Sequence, residues 1–215
     1  MIITEKKPID EIKESLKDSK KVFIIGCGTC ATLNQTGGEE QVKELTKLLS
    51  DKEIVGTVVP ETPCDKRLLK RDLRALTDAL NSADTIVALA CGAGIQAVAE
   101  LTRKYTTPGL NTKFIGMVER IGEFYQRCLA CGDCVLDETG GICPITRCPK
   151  ALLNGPCAGH MDEKCEVNHE KDCAWVLIYK RMKDMGQLGK FKAFRKPRNF
   201  QKSTSPQQIV WRKPQ

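Results

Sequence analysis

Apolar residues in the first 119 positions follow two alternating patterns. Short continuous apolar runs are typical of buried parallel strands, and apolar residues at helical spacing are typical of helices packed on a sheet. We predict strands at residues 22–25, 54–59, 85–90 and 113–118. We predict helices starting near Pro8 and at residues 39–49, 65–80 and 95–105. Because short connections link alternating strands and helices, we expect an α/β domain over residues 1–119, with a Rossmann-like parallel sheet and right-handed crossovers.

The composition changes near Glu119. Residues 128–173 hold eight of the twelve cysteines, with many glycines and prolines and few large apolar residues. Such a segment cannot build an ordinary core, so disulfides or metal must cross-link it. We expect a cysteine-rich iron–sulfur or zinc module at residues 120–185. It ends in a helix at 173–185 that carries Trp175, Ile178 and Met182 on its inner face.

The net charge of +7 is concentrated in residues 186–215, which carry eight basic residues and no acidic one. These are Lys190, Lys192, Arg195, Lys196, Arg198, Lys202, Arg212 and Lys213. The rest of the chain is nearly neutral. Four aromatic residues, Phe191, Phe194, Phe200 and Trp211, alternate with these cations. The basic tail is therefore expected to dock on a partner protein, with a solvated tail as the second interpretation and nucleic-acid binding the least favoured.

We expect neither a signal peptide nor a membrane-spanning segment. The N-terminus is charged within its first seven residues and lacks the apolar core of a signal peptide. No run approaches the ~18–20 apolar residues that a membrane span needs. We therefore expect a cytoplasmic protein. Because thiols stay reduced in that compartment, twelve cysteines favour metal over disulfides.

Four cysteines follow predicted parallel strands. Cys27 and Cys30 lie after the first strand, Cys64 after the second and Cys91 after the third. The loops after parallel strands open on the carboxyl edge of a sheet, so these four thiols are expected to converge. Four thiolates suit a [4Fe–4S] cluster or a zinc ion. The neighbouring glycines are expected to let backbone N–H groups approach the cluster; they are Gly26, Gly28, Gly92 and Gly94. Buried cysteines that merely fill space are the structural alternative.

Two other motifs overlap the first of these loops. Residues 26–31 match the dinucleotide-binding pattern G-x-G-x-x-A, but no acidic residue ends the second strand, which finishes Val58-Val59-Pro60. Cys27 and Cys30 also form a C-x-x-C pair, as in thioredoxin-like proteins. That interpretation leaves Cys64 and Cys91 without a role, so we favour the metal site.

The module cysteines begin with a C-x2-C-x2-C motif, Cys128, Cys131 and Cys134. Three thiolates at this spacing bind three corners of an iron–sulfur cluster, and the fourth ligand often precedes a proline. Cys143 and Cys148 both precede a proline. The eight cysteines divide into two sets of four, the motif with one later cysteine and a second site from the rest of Cys143, Cys148, Cys157, Cys165 and Cys173. Zinc in one set is an open alternative, with His160 or His169 as a less favoured ligand.

The module resembles the C-terminal domain of the small, V-type subunit of two-subunit methylenetetrahydrofolate reductases. The resemblance is carried by TGGICPIT at 139–146, LLNGPC at 152–157, KCEV at 164–167 and CAW at 173–175. The sequences GCGTCA and ACGAG of the N-terminal half are similar to the same subunit, so the resemblance covers roughly residues 20–185. The basic tail falls outside it.

This resemblance implies a non-catalytic iron–sulfur subunit, with two or three [4Fe–4S] clusters and zinc as an option in one cysteine set. It implies a partner, a catalytic barrel subunit that carries FMN or FAD and reduces 5,10-methylenetetrahydrofolate to 5-methyltetrahydrofolate. Ferredoxin or a similar donor would supply electrons, within one-carbon metabolism by the Wood–Ljungdahl pathway. The sequence itself shows no acid–base or nucleophilic constellation. A structural zinc scaffold that binds nucleic acid, or a thiol–disulfide oxidoreductase, are the rival functions.

Overall fold

The protein is described by a computed structural model that covers residues 1–211. Arg212 and Lys213 of the predicted tail lie outside the described residues. The chain divides into two compact units, Met1–Tyr125 and Gln126–Gln215. Within the described range, none of the helices has the length and apolar character that a membrane crossing requires.

The first unit alternates strands and helices. Its strands are β1 (Ile2–Lys6), β2 (Lys21–Ile25), β3 (Glu53–Val58), β4 (Thr85–Ala88), β5 (Tyr105–Pro108), β6 (Leu110–Arg120) and β7 (Glu123–Cys128), the last of which reaches the second unit. Its helices are α1 (Ile9–Ser15), α2 (Cys30–Leu33), α3 (Glu39–Leu48), α4 (Lys66–Leu73), α5 (Thr77–Ser82) and α6 (Gly92–Thr102), with a 3-10 turn at Arg74–Leu76. The predicted helix at 65–80 is thus divided by that turn.

Four strands form a parallel sheet in the order β3-β2-β4-β5. Side chains of β2 alternate between the two faces. Val22 and Ile24 pack in one core cluster with residues of α1 and α3, and Phe23 and Ile25 pack in another with residues of α4, α5 and α6. The prediction of an α/β domain with a parallel sheet is confirmed. The direction of strand order reverses between β2 and β4, which is where open α/β sheets commonly bind ligands.

The predicted strand at 113–118 is confirmed, but its predicted place in the parallel sheet is wrong. Residues 113–118 belong to β6, which pairs antiparallel with β1 in a separate three-stranded sheet of order β1-β6-β7. The fourth parallel strand is instead β5, in a stretch that the predicted helix at 95–105 partly covered. Arg103 takes a left-handed conformation (φ 57°) that ends α6 at Thr102. Because α6 ends there, the β-branched Thr106 and Thr107 belong to β5 and pair with β4.

The second unit has little regular structure. It contains α7 (Pro144–Arg147), α8 (Ala174–Asp184) and two 3-10 turns, Leu188–Lys192 and Phe200–Ser203. Its small core consists of Cys173, Trp175, Ile178 and Met182 on the inner face of α8. The predicted C-terminal helix and its inner face are confirmed. A core of this size leaves most of the unit to be held by polar contacts or by bound metal.

Candidate metal centres

All four N-terminal cysteines lie at the carboxyl edge of the parallel sheet. Cys27 follows β2, Cys30 starts α2, Cys64 precedes α4 and Cys91 is the N-terminal capping residue of α6. The first loop is compact because a Cβ at Gly26 would lie 2.6 Å from the carbonyl oxygen of Gly37. No other residue fits there without moving the backbone that positions Cys27.

The glycine amides at this edge are largely occupied. Gly26 donates to the carbonyl of Val58, Gly28 to that of Pro60 and Gly92 to the hydroxyl of Thr112, each at 2.8 Å. These three amides each already have an acceptor within the protein, and the prediction that the glycines let backbone N–H groups approach a cluster stays a prediction. These bonds fix the loops that carry the cysteines.

The other three cysteines at this edge affect the pKa of the Cys64 thiol. Its pKa lies above the ordinary thiol value because the surrounding loops remove part of its hydration, and because Cys91, Cys27 and Cys30 would place negative charge nearby. Cys64 therefore lies close enough to each of the other three cysteines for their charges to interact, although 37 positions separate Cys27 from Cys64 in the sequence. A bound cation would reverse this effect, since it favours thiolates.

The C-x2-C-x2-C motif forms a tight loop at the end of β7. Ala130 and Gly132 both take left-handed conformations (φ 51° and 73°), and the backbone N–H of Ala130 donates to the sulfur of Cys128 at 3.3 Å. Successive turns of this kind direct N–H groups toward a negatively charged group. Cys131 donates its thiol hydrogen to the carbonyl of Asp133, at 3.7 Å.

The basic C-terminal segment, defined here as residues 186–211, contacts this loop. Arg195 pairs with Asp133 at 3.0 Å and with Glu138, and it exchanges two backbone hydrogen bonds with the side chain of Asn154, at 2.8 and 2.9 Å. Lys202 pairs with Asp133 at 3.0 Å. These two cations are thus engaged within the second unit. One sequence feature was in keeping with this pairing: Asp133 is the single acidic residue within the C-x2-C-x2-C motif.

Four of the remaining cysteines line one small cavity. Its volume is about 20 Å³, close to the space that a single water molecule or ion needs. The cysteines are Cys148, Cys157, Cys165 and Cys173. The backbone is fixed there because Cys165 donates its N–H to Lys171 and Cys173 donates its N–H to Glu163, at 2.8 and 2.7 Å. Cys143 is not among the lining residues.

Charged side chains border this cavity. Lys150 and Glu166 form an ion pair at 2.6 Å, and their hydrogen bond raises the pKa of the Lys150 ammonium and lowers that of the Glu166 carboxyl. The thiol of Cys157 donates to the same carboxylate oxygen at 3.2 Å. Lys150 and the Cys157 thiol therefore meet at one oxygen of the Glu166 carboxylate. Sequence reasoning missed Lys150 and Glu166, because nothing in their spacing links them to the cysteines.

The cysteines are free thiols throughout the chain. In residues 1–211, no three His, Cys, Asp or Glu side chains approach closely enough to coordinate a metal ion as they stand. His160 lines the four-cysteine cavity, and its Nδ1 is a buried atom with no hydrogen-bond partner among the described residues. The thiol groups of the cysteines are donors that fit a thiophilic metal.

Comparison with known families bears on the second unit. Residues 107–201 match the family model described as the methylene-tetrahydrofolate reductase C-terminal domain. The resemblance predicted from the module's motifs is confirmed over this segment. The match includes all eight module cysteines and extends past the predicted module into the basic segment. Comparisons with curated proteins and with solved structures find no match.

Proposed function

We propose that this protein is the electron-transfer subunit of a methylenetetrahydrofolate reductase complex. The observation that carries the proposal is the match of residues 107–201 to the reductase C-terminal family, over a segment that holds eight free thiols. Two groups of thiolate donors on one chain are typical of electron relays. The hydride chemistry would belong to a flavin-bearing catalytic subunit, since a barrel of that kind needs about 250 residues of its own.

The sheet-edge cysteines are the proposed ligands of one [4Fe–4S] cluster. Cys27, Cys30, Cys64 and Cys91 interact electrostatically around Cys64, and the strand order reverses beside them. A cluster bound here would accept and donate one electron. The chain's own contribution is to hold the four thiols on fixed loops at one edge of the sheet.

The module cysteines are proposed to form two different sites. Cys128, Cys131, Cys134 and Cys143 fit a second cluster, because the motif loop directs an N–H group to sulfur. The cavity lined by Cys148, Cys157, Cys165 and Cys173 is the other proposed site, and four thiolates around one small cavity suit a single ion such as zinc. Lys150 would offset part of the negative charge of four thiolates.

The test is metal analysis after anaerobic purification. We expect a brown protein with about eight iron atoms and about one zinc ion per chain, and reduced clusters visible by electron paramagnetic resonance. Co-purification with a flavin-bearing reductase subunit, and electron flow from reduced ferredoxin to its flavin, would support the role. A colourless protein that contains only zinc would contradict it and would favour a structural scaffold.

A further inference from the structure

A large cavity in the second unit remains unassigned by the proposed metal sites. It has a volume of about 800 Å³, within the range of small-molecule sites. One wall comes from α8, another from residues 154–163, and Phe191 of the following 3-10 turn closes the third side. It is therefore a built pocket that several segments of the unit shape together.

Three aromatic rings make a continuous wall in this cavity. The ring centroid of Phe191 lies 6.2 Å from that of Trp175, tilted by 52°, and 6.4 Å from that of Tyr179, nearly parallel at 27°. Trp175 is held by the hydrogen bond from its indole N–H to the carbonyl of Leu152, at 3.0 Å. Tyr179 and Phe191 are 51% and 38% exposed, so their faces are available to a ligand. Such rings stack with planar conjugated molecules.

A tight hairpin turn and a histidine border the rim. Asp162 and Glu163 both take left-handed conformations (φ 47° and 66°) because they are the two central residues of this turn, whose flanking residues Met161 and Lys164 exchange backbone hydrogen bonds at 3.3 and 2.8 Å. The buried Nδ1 of His160 has no hydrogen-bond partner among the described residues. Buried polar atoms in folded proteins are almost always paired. Because His160 lines both this cavity and the four-cysteine cavity, a ligand here or a metal there would each satisfy this atom.

The charges that line the cavity balance. Glu163 pairs with Lys180 at 2.5 Å, and the remaining charged side chains at the lining are Asp162 and Lys183. A polyanionic ligand such as a nucleoside triphosphate therefore gains no net attraction. The lining suits an uncharged ring with hydrogen-bonding groups on its edge.

We propose that this cavity binds an uncharged planar heterocycle, stacked on Tyr179 and Phe191 and hydrogen-bonded at its edge to His160. The site goes beyond the proposed electron-transfer role, and it requires that the cysteines alone hold any metal in the four-cysteine cavity, because His160 lines both cavities. The ring is a free small molecule of the nucleoside or flavin type.

Isothermal titration calorimetry of the full-length, metal-loaded protein tests this site with riboflavin, adenosine and guanosine, and with ribose as the ring-free control. We expect saturable binding of at least one of the three ring compounds and none of ribose. Phe191→Leu and Tyr179→Leu should each weaken that binding about 5- to 10-fold, because each removes one stacking partner. His160→Ala should weaken it as well.

Phe194→Leu is the matched control, since Phe194 is 78% exposed and is not part of this cavity. It should bind like the unmodified protein. Unchanged metal content and circular dichroism would show that each variant is folded. Should Phe191→Leu misfold, the exposed position of Tyr179 keeps its own variant informative. The proposal is overturned if none of the ring compounds saturates the protein by about 1 mM, or if both leucine variants at the wall bind as tightly as the unmodified protein.

Discussion

Asp133 lies between the last two cysteines of the C-x2-C-x2-C motif and pairs with Arg195, which is 62 residues further along the chain, at 3.0 Å. Lys202 pairs with the same carboxylate, and the hydrogen bond from Lys202 is the main reason that the pKa of Asp133 falls below its usual value. The backbones of the motif loop and the C-terminal segment are also close, because a Cβ on Gly132 would lie 2.5 Å from the carbonyl oxygen of Lys202. The C-terminal segment therefore forms part of the motif's surroundings.

Asp133→Asn should loosen the C-terminal segment, because both ion pairs lose their shared anion. Trypsin should then cleave after Arg198 and Lys202 about 3- to 10-fold faster, as expected when weak surface pairs hold a segment closed. Mass spectrometry of timed digests measures the rates. Asp137→Asn is the control, since only the backbone carbonyl of Asp137 bonds to this segment, through Lys190. Equal cleavage rates for both variants would show that Asp133 does not hold the segment.

Cys131→Ala and Cys165→Ser should remove different metals. Cys131→Ala should lose one iron centre and keep the centre of the N-terminal unit, because the two sites use separate cysteines. Cys165→Ser should lose zinc and keep the iron, because Cys165 lines the four-cysteine cavity, the proposed zinc site. Iron and zinc counts per chain, with the iron spectrum, check both results. Loss of all iron from Cys131→Ala would refute the division into independent sites.

Asp84 should make the first unit sensitive to acid. Its carboxylate accepts the backbone N–H groups of Lys21 and Lys20, at 2.8 and 2.9 Å, and these bonds lower its pKa. A lowered pKa means that the stabilisation is complete above the ordinary value of about 3.9 and is lost as the pH falls through the lowered value. Asp84→Asn should therefore be less stable near neutral pH, with a difference that shrinks below about pH 4.

Urea unfolding of both proteins between about pH 3 and pH 7 measures this difference. Asp18→Asn, at an exposed position, serves as the control and should match the unmodified protein across the range. A difference for Asp84→Asn that stays constant with pH would exclude the carboxylate charge as its cause.

Ile178→Ala should destabilise the second unit by about 2–4 kcal/mol, since the side chain is fully buried and leaves a cavity when truncated. The effect should be large for so small a core, which rests on few apolar residues. Urea unfolding followed by the near-ultraviolet circular dichroism of Trp175 gives the free energy. Val167→Ala, at a residue that is 57% exposed, should change it by less than about 0.5 kcal/mol.

Sequence patterns predicted the strands and helices that depend only on residues close together in the chain. The run at 22–25 and the inner face of α8 were readable because apolar periodicity alone decides them. The fourth strand was not, because Arg103 ends α6 by a left-handed turn that its residue type does not announce. The position of four cysteines at one sheet edge followed from strand order, because loops after parallel strands share that edge. Their convergence on one metal stays a prediction. The grouping of Cys148 with Cys157, Cys165 and Cys173 depends on loop contacts that sequence spacing does not encode.

The pairing of Asp133 with Arg195 has a consequence for biosynthesis. The cysteine motif leaves the ribosome 62 residues before its partner arginine. At about 5–20 residues per second, the motif loop therefore waits roughly 3–12 s before the segment that pairs with it has been made. During that interval metal-delivery machinery would meet a loop whose Asp133 has no cation from this segment. A protein released without metal would have to load it into a loop that Arg195 and Lys202 already hold through Asp133.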